Sequence, residues 1–342
     1  PYTSSAASDV YKRQIYYCIS LMKDLITNFE SFLKSELLHS DPTNLYQPVK
    51  YILESGGKRL RPLITMSVSD ILSHDSIKAL PASASLEIFH NFTLAHDDIM
   101  DNSLMRRGKQ TIHTKWDINT GILSGDVMLI ISYEFLKKYD DLIYLELSKQ
   151  LIETSRLLCE GQQYDIDFSN QNLVDEEKYF EMIQNKTAEL IACAYKFGGI
   201  VSNTKDVNKQ ILYEIGLNLG IAFQLEDDLL DCFGDEKKFG KRIGGDIIEK
   251  KKTLLYIYTI KNLSKNQREE FEKVFYSDEL SEELKISTIK TFYEDSGSVD
   301  YLKQKVKEYS NKASKNISQL EIDTNKKDQI LNFSRNLLDR QI

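Results

Sequence analysis

Residues 94–108 read LAHDDIMDNSLMRRG. They close a run whose apolar positions, from Leu86 through Ile88, Phe89, Phe92 and Leu94, follow helical spacing. Positions i and i+4 share a helix face, so Asp97 and Asp101 set two carboxylates side by side, roughly 5–6 Å apart at their Cβ atoms. Alone, such a pair is mildly destabilising. Asn102, Ser103 and Gly108 place the helix end just beyond it, where the dipole is already negative. The stretch therefore asks for a cation. All-oxygen ligands, with no cysteine nearby and one adjacent histidine, favour Mg²⁺ over Zn²⁺.

A second copy stands at 223–231, FQLEDDLLD, again after an apolar helical run that includes Ile215, Leu219, Ile221 and Ala222. Asp227 and Asp231 repeat the i, i+4 geometry. Two acid clusters on two apolar helices, far apart in sequence, make sense if the helices face each other and hold metal between them. An acidic solvated helix end explains one such cluster far better than it explains two.

The cations are grouped around these clusters. At 55–62, SGGKRLRP, two glycines free the backbone, Lys58, Arg59 and Arg61 follow within four residues, and Pro62 begins a helix. Loop amides and a helix start that carry Lys and Arg suit phosphate. Arg106 and Arg107 follow the first acid cluster, and the planar fork of arginine matches phosphate oxygens. Lys186-Thr187 sits among Ile183, Leu190 and Ile191 in a helix expected over 176–202. After the second cluster, 232–252 is expected as a loop rich in glycine and lysine, a flap of cations that includes Gly240-Lys241 and Lys250-Lys251-Lys252. Gly161, inside a helical pattern, costs about 1 kcal/mol relative to alanine and marks close packing or a bend.

Composition bounds the rest. The 342 residues carry 41% hydrophobic side chains and only five prolines, enough for a large helical core. A formal charge of -8 argues against nucleic acid as a main partner. Cys18, Cys159, Cys193 and Cys232 lack CxxC spacing and read as reduced thiols of a cytoplasmic protein. No stretch offers the 18 or more apolar residues of a membrane span. Residues 1–14, PYTSSAASDVYKRQ, fit nothing that follows and are expected to be a non-native extension, with Met22 the natural first residue. No strand alternation, repeat or linker divides the chain, so 22–342 is expected as one domain.

Six motifs in order, GGKRLRP (56–62), DDIMDNSLMRRGKQTIH (97–113), GQQYD (161–165), KT (186–187), FQLEDDLLD (223–231) and GK with GGDIIEKKKT (240–253), closely resemble those of the trans-isoprenyl diphosphate synthases, or polyprenyl synthetase family. The match spans roughly 45–260. The resemblance implies an all-α fold, one large helical bundle around a deep apolar cavity, generally homodimeric. It implies head-to-tail condensation of an allylic diphosphate with isopentenyl diphosphate. Asp97 and Asp101 would bind two of three Mg²⁺ ions and Asp227 the third, with Asp98 supporting and Asp228 and Asp231 completing the metal set. Lys58, Arg61, His90 and Arg107 would hold isopentenyl diphosphate. Arg106, Gln162, Lys186, Thr187, Gln224, Lys241 and Lys251 would serve the allylic substrate, with Lys186, Thr187, Gln224 and Lys241 counted as catalytic.

The implied chemistry suits these residues. Breaking a C–O bond to release diphosphate leaves an allylic cation, so the site must neutralise the leaving group and offer the cation no nucleophile. By the resemblance, bulky residues four or five positions before the first aspartate floor the cavity, here Thr93 and Phe92, with Phe89 a turn deeper. A C15 or C20 product is expected. Two other classes stand against this reading: a non-catalytic subunit of a hetero-oligomeric synthase, and a terpene cyclase. Intact acid motifs oppose the first, and the GGKRLRP site for a second diphosphate opposes the other.

Overall fold

The computed structural model describes residues 22–37, 39–169, 171, 174–234 and 243–338. The 1–14 extension and Lys241 lie outside them. The described residues form two compact units. One comprises those within Pro1–Ile152, Cys193–Tyr213 and Leu320–Ile342; the other comprises Glu153–Ala192 and Glu214–Gln319.

The fold is all-α. In chain order the helices that matter for the site are α1 (22–36), α2 (Thr43–Leu53), α3 (Leu60–Ser73), α4 (Leu80–Met100), α5 (Ile112–Lys115), α6 (Ile118–Leu136), α7 (Asp141–Ser169), α8 (Glu176–Ile183), α9 (Glu189–Val201), α10 (Asp206–Phe233), α11 (Gly245–Ile248) and α12 (Leu254–Asn262). Four more follow through Leu338. The helix α6 begins at Ile118 because Asp117 caps it by accepting the Thr120 amide at 2.8 Å. The stretch read as one helix over 176–202 is interrupted at Gln184–Ala188 by a π-turn that carries Lys186 and Thr187. Single π-turns of this kind concentrate at functional sites. Part of the expected loop at 232–252 is helical, at α11.

Among the described residues the only strands are Met105–Arg106 (β1) and Lys109–Gln110 (β2), an antiparallel pair with Met105 opposite Gln110. Alternation over two residues leaves no signal in sequence. The turn between them, Arg107-Gly108, has φ of 51° and 73°, the left-handed pair of a tight hairpin.

In the first unit, α4 packs on α6 and α3. A Cβ added to Gly121 of α6 would lie 2.8 Å from the Ile99 side chain, and one on Gly125 would strike the His96 ring. These glycines let α6 run directly beneath the acid-bearing end of α4. In the second unit the core gathers Tyr179, Leu225, Leu255, Tyr256, Phe271 and Phe275. Burying each such side chain is worth roughly 1.5–3 kcal/mol. Among the described residues, no helix is long and apolar enough to cross a membrane.

Candidate active site

In the first unit the basic loop is held from beneath. Arg59 adopts a left-handed backbone (φ 47°) at the start of α3 and is buried. Its guanidinium donates to Glu30 Oε1 at 2.7 Å, to Glu87 Oε1 at 2.8 Å and to the Leu53 carbonyl at 2.5 Å. Arg59 is therefore an anchor, tying the loop to α1, α2 and α4. With that arginine turned inward, Lys58 is exposed on the loop and Arg61 points to His90, Nη1 to Nε2 at 3.3 Å. Arginine can only donate, so His90 Nε2 accepts and the imidazole is neutral. Burial, then Arg61, Arg107, Arg106 and Arg59, holds its pKa well below the usual histidine value. Burial, offset by Glu87, also lowers Arg61 to about 10.

The hairpin brings in the remaining arginines. Arg107 Nη1 donates to the Gly56 carbonyl, and its guanidinium carbon lies where a Cβ on Gly57 would come within 2.7 Å. Only glycine allows that approach, and Gly57 at φ 131° also needs its freedom. Arg106 turns the other way. Its Nε donates to Asp98 Oδ1 at 2.7 Å and its Nη2 lies 3.7 Å from Asp97 Oδ2. A small cleft lies here, lined by Ser55, Asn91, Asp98, Arg106 and Arg107 among others. Of the residues expected to hold isopentenyl diphosphate, Arg61, His90 and Arg107 thus come together beside the loop that bears Lys58.

Asp101 caps the end of α4, its amide bonded to the Asp97 carbonyl at 2.9 Å, and Asn102 follows at φ 51°. The helix stops where the sequence placed its stop. Asp98 is buried; burial raises its pKa and Arg106 opposes that rise. One and two turns earlier on α4, Phe92 meets His96 edge-on at 4.9 Å and Phe89 at 5.4 Å, and Thr93 bonds the His90 carbonyl.

The second unit carries the other motifs. Gly161 of α7 passes so close to the π-turn that a Cβ there would strike the Lys186 amide and lie 2.8 Å from the Asn185 carbonyl carbon. A Cβ on Gly220 of α10 would likewise lie only 2.5 Å from the Ala188 Cα. These two contacts fix α7, the π-turn and α10 side by side. Lys186 Nζ reaches Asp165 Oδ2 at 2.5 Å, and Thr187 donates to Gln224 Oε1 at 2.9 Å. Gln224 Nε2 donates to Asp228 Oδ1 at 2.8 Å, and the Tyr179 hydroxyl donates to Asp228 Oδ2 at 2.5 Å. Asp231 Oδ2 accepts the Asp246 amide at 2.9 Å, which pins the start of α11. Gln162 stands half-buried on α7.

Of the three lysines at 250–252, Lys250 pairs with Asp278 and Lys252 donates to the Phe168 carbonyl, capping α7. Lys251 turns to Asp246 at 3.3 Å. Burial, with Asp246 and Asp227 adding to it, pushes Asp228 well above the usual carboxylate range, and burial also raises Asp246. That local excess of negative charge suits a hard cation. Among the described residues, no three of His, Cys, Asp and Glu converge tightly enough to hold a metal by themselves. Mg²⁺ commonly takes one or two carboxylates and completes its shell with phosphate oxygens and water, so the donor set fits that mode.

Glu87 and Tyr179 organise these sites and escaped the sequence reading, and Arg59, read there as one of the loop's phosphate-suited cations, turns inward to Glu30 and Glu87 instead. Glu87 had a signal, an acid inside an apolar helical run. Tyr179 had none.

Helical units that carry two aspartate clusters beside Lys, Arg and a glycine-opened loop are those of an isoprenoid synthase fold. The polyprenyl synthetase profile matches residues 42–292, and the chain belongs to that family and is a prenyltransferase. It is 36% identical over 321 residues to the geranylgeranyl diphosphate synthase of Saccharolobus solfataricus, covering 92% of this chain and 96% of the relative. A crystal structure of a geranylgeranyl pyrophosphate synthase superposes with a TM-score of 0.89 at 43% identity, covering 94% and 99% of the two chains. The geranylgeranyl pyrophosphate synthetase of Pyrococcus horikoshii gives 0.88 at 29%, covering 96% and 100%.

Proposed function

We propose that this prenyltransferase condenses isopentenyl diphosphate with an allylic diphosphate, head to tail, to a C15 or C20 prenyl diphosphate and pyrophosphate. The observation that carries this is the basic cluster of the first unit, where Arg61, neutral His90 and Arg107 gather beside the Lys58 loop. A chain that only ionised one diphosphate would have no use for it.

Asp97, Asp101 and Asp227 would hold Mg²⁺, with Asp228 and Asp231 in support, and the bound ion would supply charge neutralisation for the departing diphosphate. The chain's own residues do the rest. Arg106, Lys186 and Lys251, with Lys241 from outside the described residues, bind the allylic diphosphate, and Gln162 assists. Arg61, His90 and Arg107 orient the acceptor so that its double bond meets the cation. A neutral His90 donates one hydrogen bond without adding charge. The Thr187 and Gln224 oxygens lend dipoles to the cation. No side-chain nucleophile is needed, and the proton lost on forming the new double bond leaves with pyrophosphate.

Phe92, backed by Phe89 and beside Thr93, floors the cavity for the growing chain. A second copy of the chain covers the apolar side chains exposed on α6 and early α7, among them Ile122, Leu123, Ile130, Leu142 and Ile152.

Incubating the protein with labelled isopentenyl diphosphate, each allylic primer and Mg²⁺, then sizing the products, tests the reading. C15 or C20 is expected, and Phe92→Ala should lengthen it. A wild-type enzyme that elongates no primer contradicts the condensation; an unchanged Phe92→Ala product removes Phe92 as the floor.

A further inference from the structure

We propose that Tyr179, on α8, is a positioning residue that fixes the polarity of a hydrogen-bond relay running through Asp228 and Gln224 to the Thr187 hydroxyl. The inference deepens the function proposed above and rests on it.

Tyr179 is 1% exposed and two turns before Lys186. Its hydroxyl donates to Asp228 Oδ2 at 2.5 Å.

Asp228 then receives donors on both oxygens, because Gln224 approaches Oδ1 at 2.8 Å. An amide facing an acceptor oxygen must present its NH₂. That orientation turns Gln224 Oε1 toward Thr187, 2.9 Å away, and commits the threonine hydroxyl as a donor. The face Thr187 has left to offer a positive centre is its oxygen lone pairs. Each link follows from the one before, and the relay begins at the Tyr179 hydroxyl.

Without the Tyr179 proton, Asp228 loses a donor it needs when buried, and the carboxyl is free to rotate. Gln224 is then no longer obliged to face one way. The defect reaches Thr187, which belongs to the ionisation step, and leaves the isopentenyl diphosphate cluster of the first unit untouched. The substitution is mild in shape, since phenylalanine fills the same volume.

The test is a double-mutant cycle on the full-length enzyme with Tyr179→Phe, Thr187→Ala and the pair, reading kcat and both KM values. Tyr179→Phe should lower kcat by roughly tenfold, with KM for isopentenyl diphosphate within about twofold, as expected for a misaligned transition-state dipole. Adding Tyr179→Phe to Thr187→Ala should cost less than about twofold more, because Tyr179 acts only through Thr187. An unchanged kcat overturns the proposal, and so do effects that multiply in full, which is what general loosening of the fold would give. The wild-type control separates the two ideas: if it does not condense the substrates, the function itself is wrong.

Discussion

The two aspartate clusters repeat one sequence pattern, yet their second aspartates are balanced by different means. In the first unit, buried Asp98 faces a full positive charge, Arg106, which also lies near Asp97. In the second, buried Asp228 is held by the neutral donors Tyr179 and Gln224, while Asp231 takes a backbone amide. A guanidinium offsets a carboxylate's charge, whereas a phenol or an amide only solvates it. Burial and the neighbouring Asp246 hold Asp228 well above the ordinary carboxylate range, whereas the burial that raises Asp98 is opposed by Arg106. The second cluster thus gains more from an incoming cation than the first does.

The same division runs through the surroundings. Below the first cluster, Glu87 is the buried anion against Arg59, and its field also reaches Arg61 and Arg107. Replacing it with leucine should break the charge balance there and cost about 3–5 kcal/mol of stability, the usual penalty for a buried ion left without its partner. Denaturant unfolding reads this directly. A loss under 1 kcal/mol would show that Glu30 and the Leu53 carbonyl suffice to hold Arg59.

Neutralising the second aspartate of each cluster sharpens the contrast. Asp228→Asn places an amide NH₂ against existing donors and should lower kcat by about 100-fold. Asp98→Asn frees Arg106 but keeps an acceptor, and should chiefly raise KM for the allylic diphosphate by about tenfold. Steady-state kinetics on both variants would decide it. Equal losses in kcat would mean that the kind of partner does not matter.

The smallest effect concerns pH. His90 is held neutral, its folded-state pKa below its unfolded one, so its contribution is complete above about 6.5 and is lost as pH falls through that value. The unfolded chain takes the proton first. Wild type should lose stability between pH 7 and 5 faster than His90→Asn, by at most about 1.4 kcal/mol per pH unit. Parallel melting curves at the two pH values would show it.

Much of this was legible in the sequence because the signals were periodic or compositional. The apolar spacing up to Leu94 gave α4, and Asn102 gave its end. Gly161 announced a close approach, and the π-turn amide of Lys186 is what it approaches. The unread features depend on partners far away in the chain. Nothing local says that Arg59 turns inward while Lys58 stays exposed, since the choice is made by Glu30 and Glu87. Tyr179 looks like any core tyrosine until Asp228 is beside it. The choice among Lys250, Lys251 and Lys252 was likewise left to tertiary structure, where Asp278 and the end of α7 claim the outer two.

The most direct test of the account is calorimetric titration of pyrophosphate into the enzyme, with and without Mg²⁺, for wild type, Asp97→Ala and Asp227→Ala. The account predicts binding that requires Mg²⁺ and weakens by about 100-fold in each variant, in line with loss of a metal ligand or its support. Binding that ignores Mg²⁺, or survives Asp227→Ala unchanged, would contradict it.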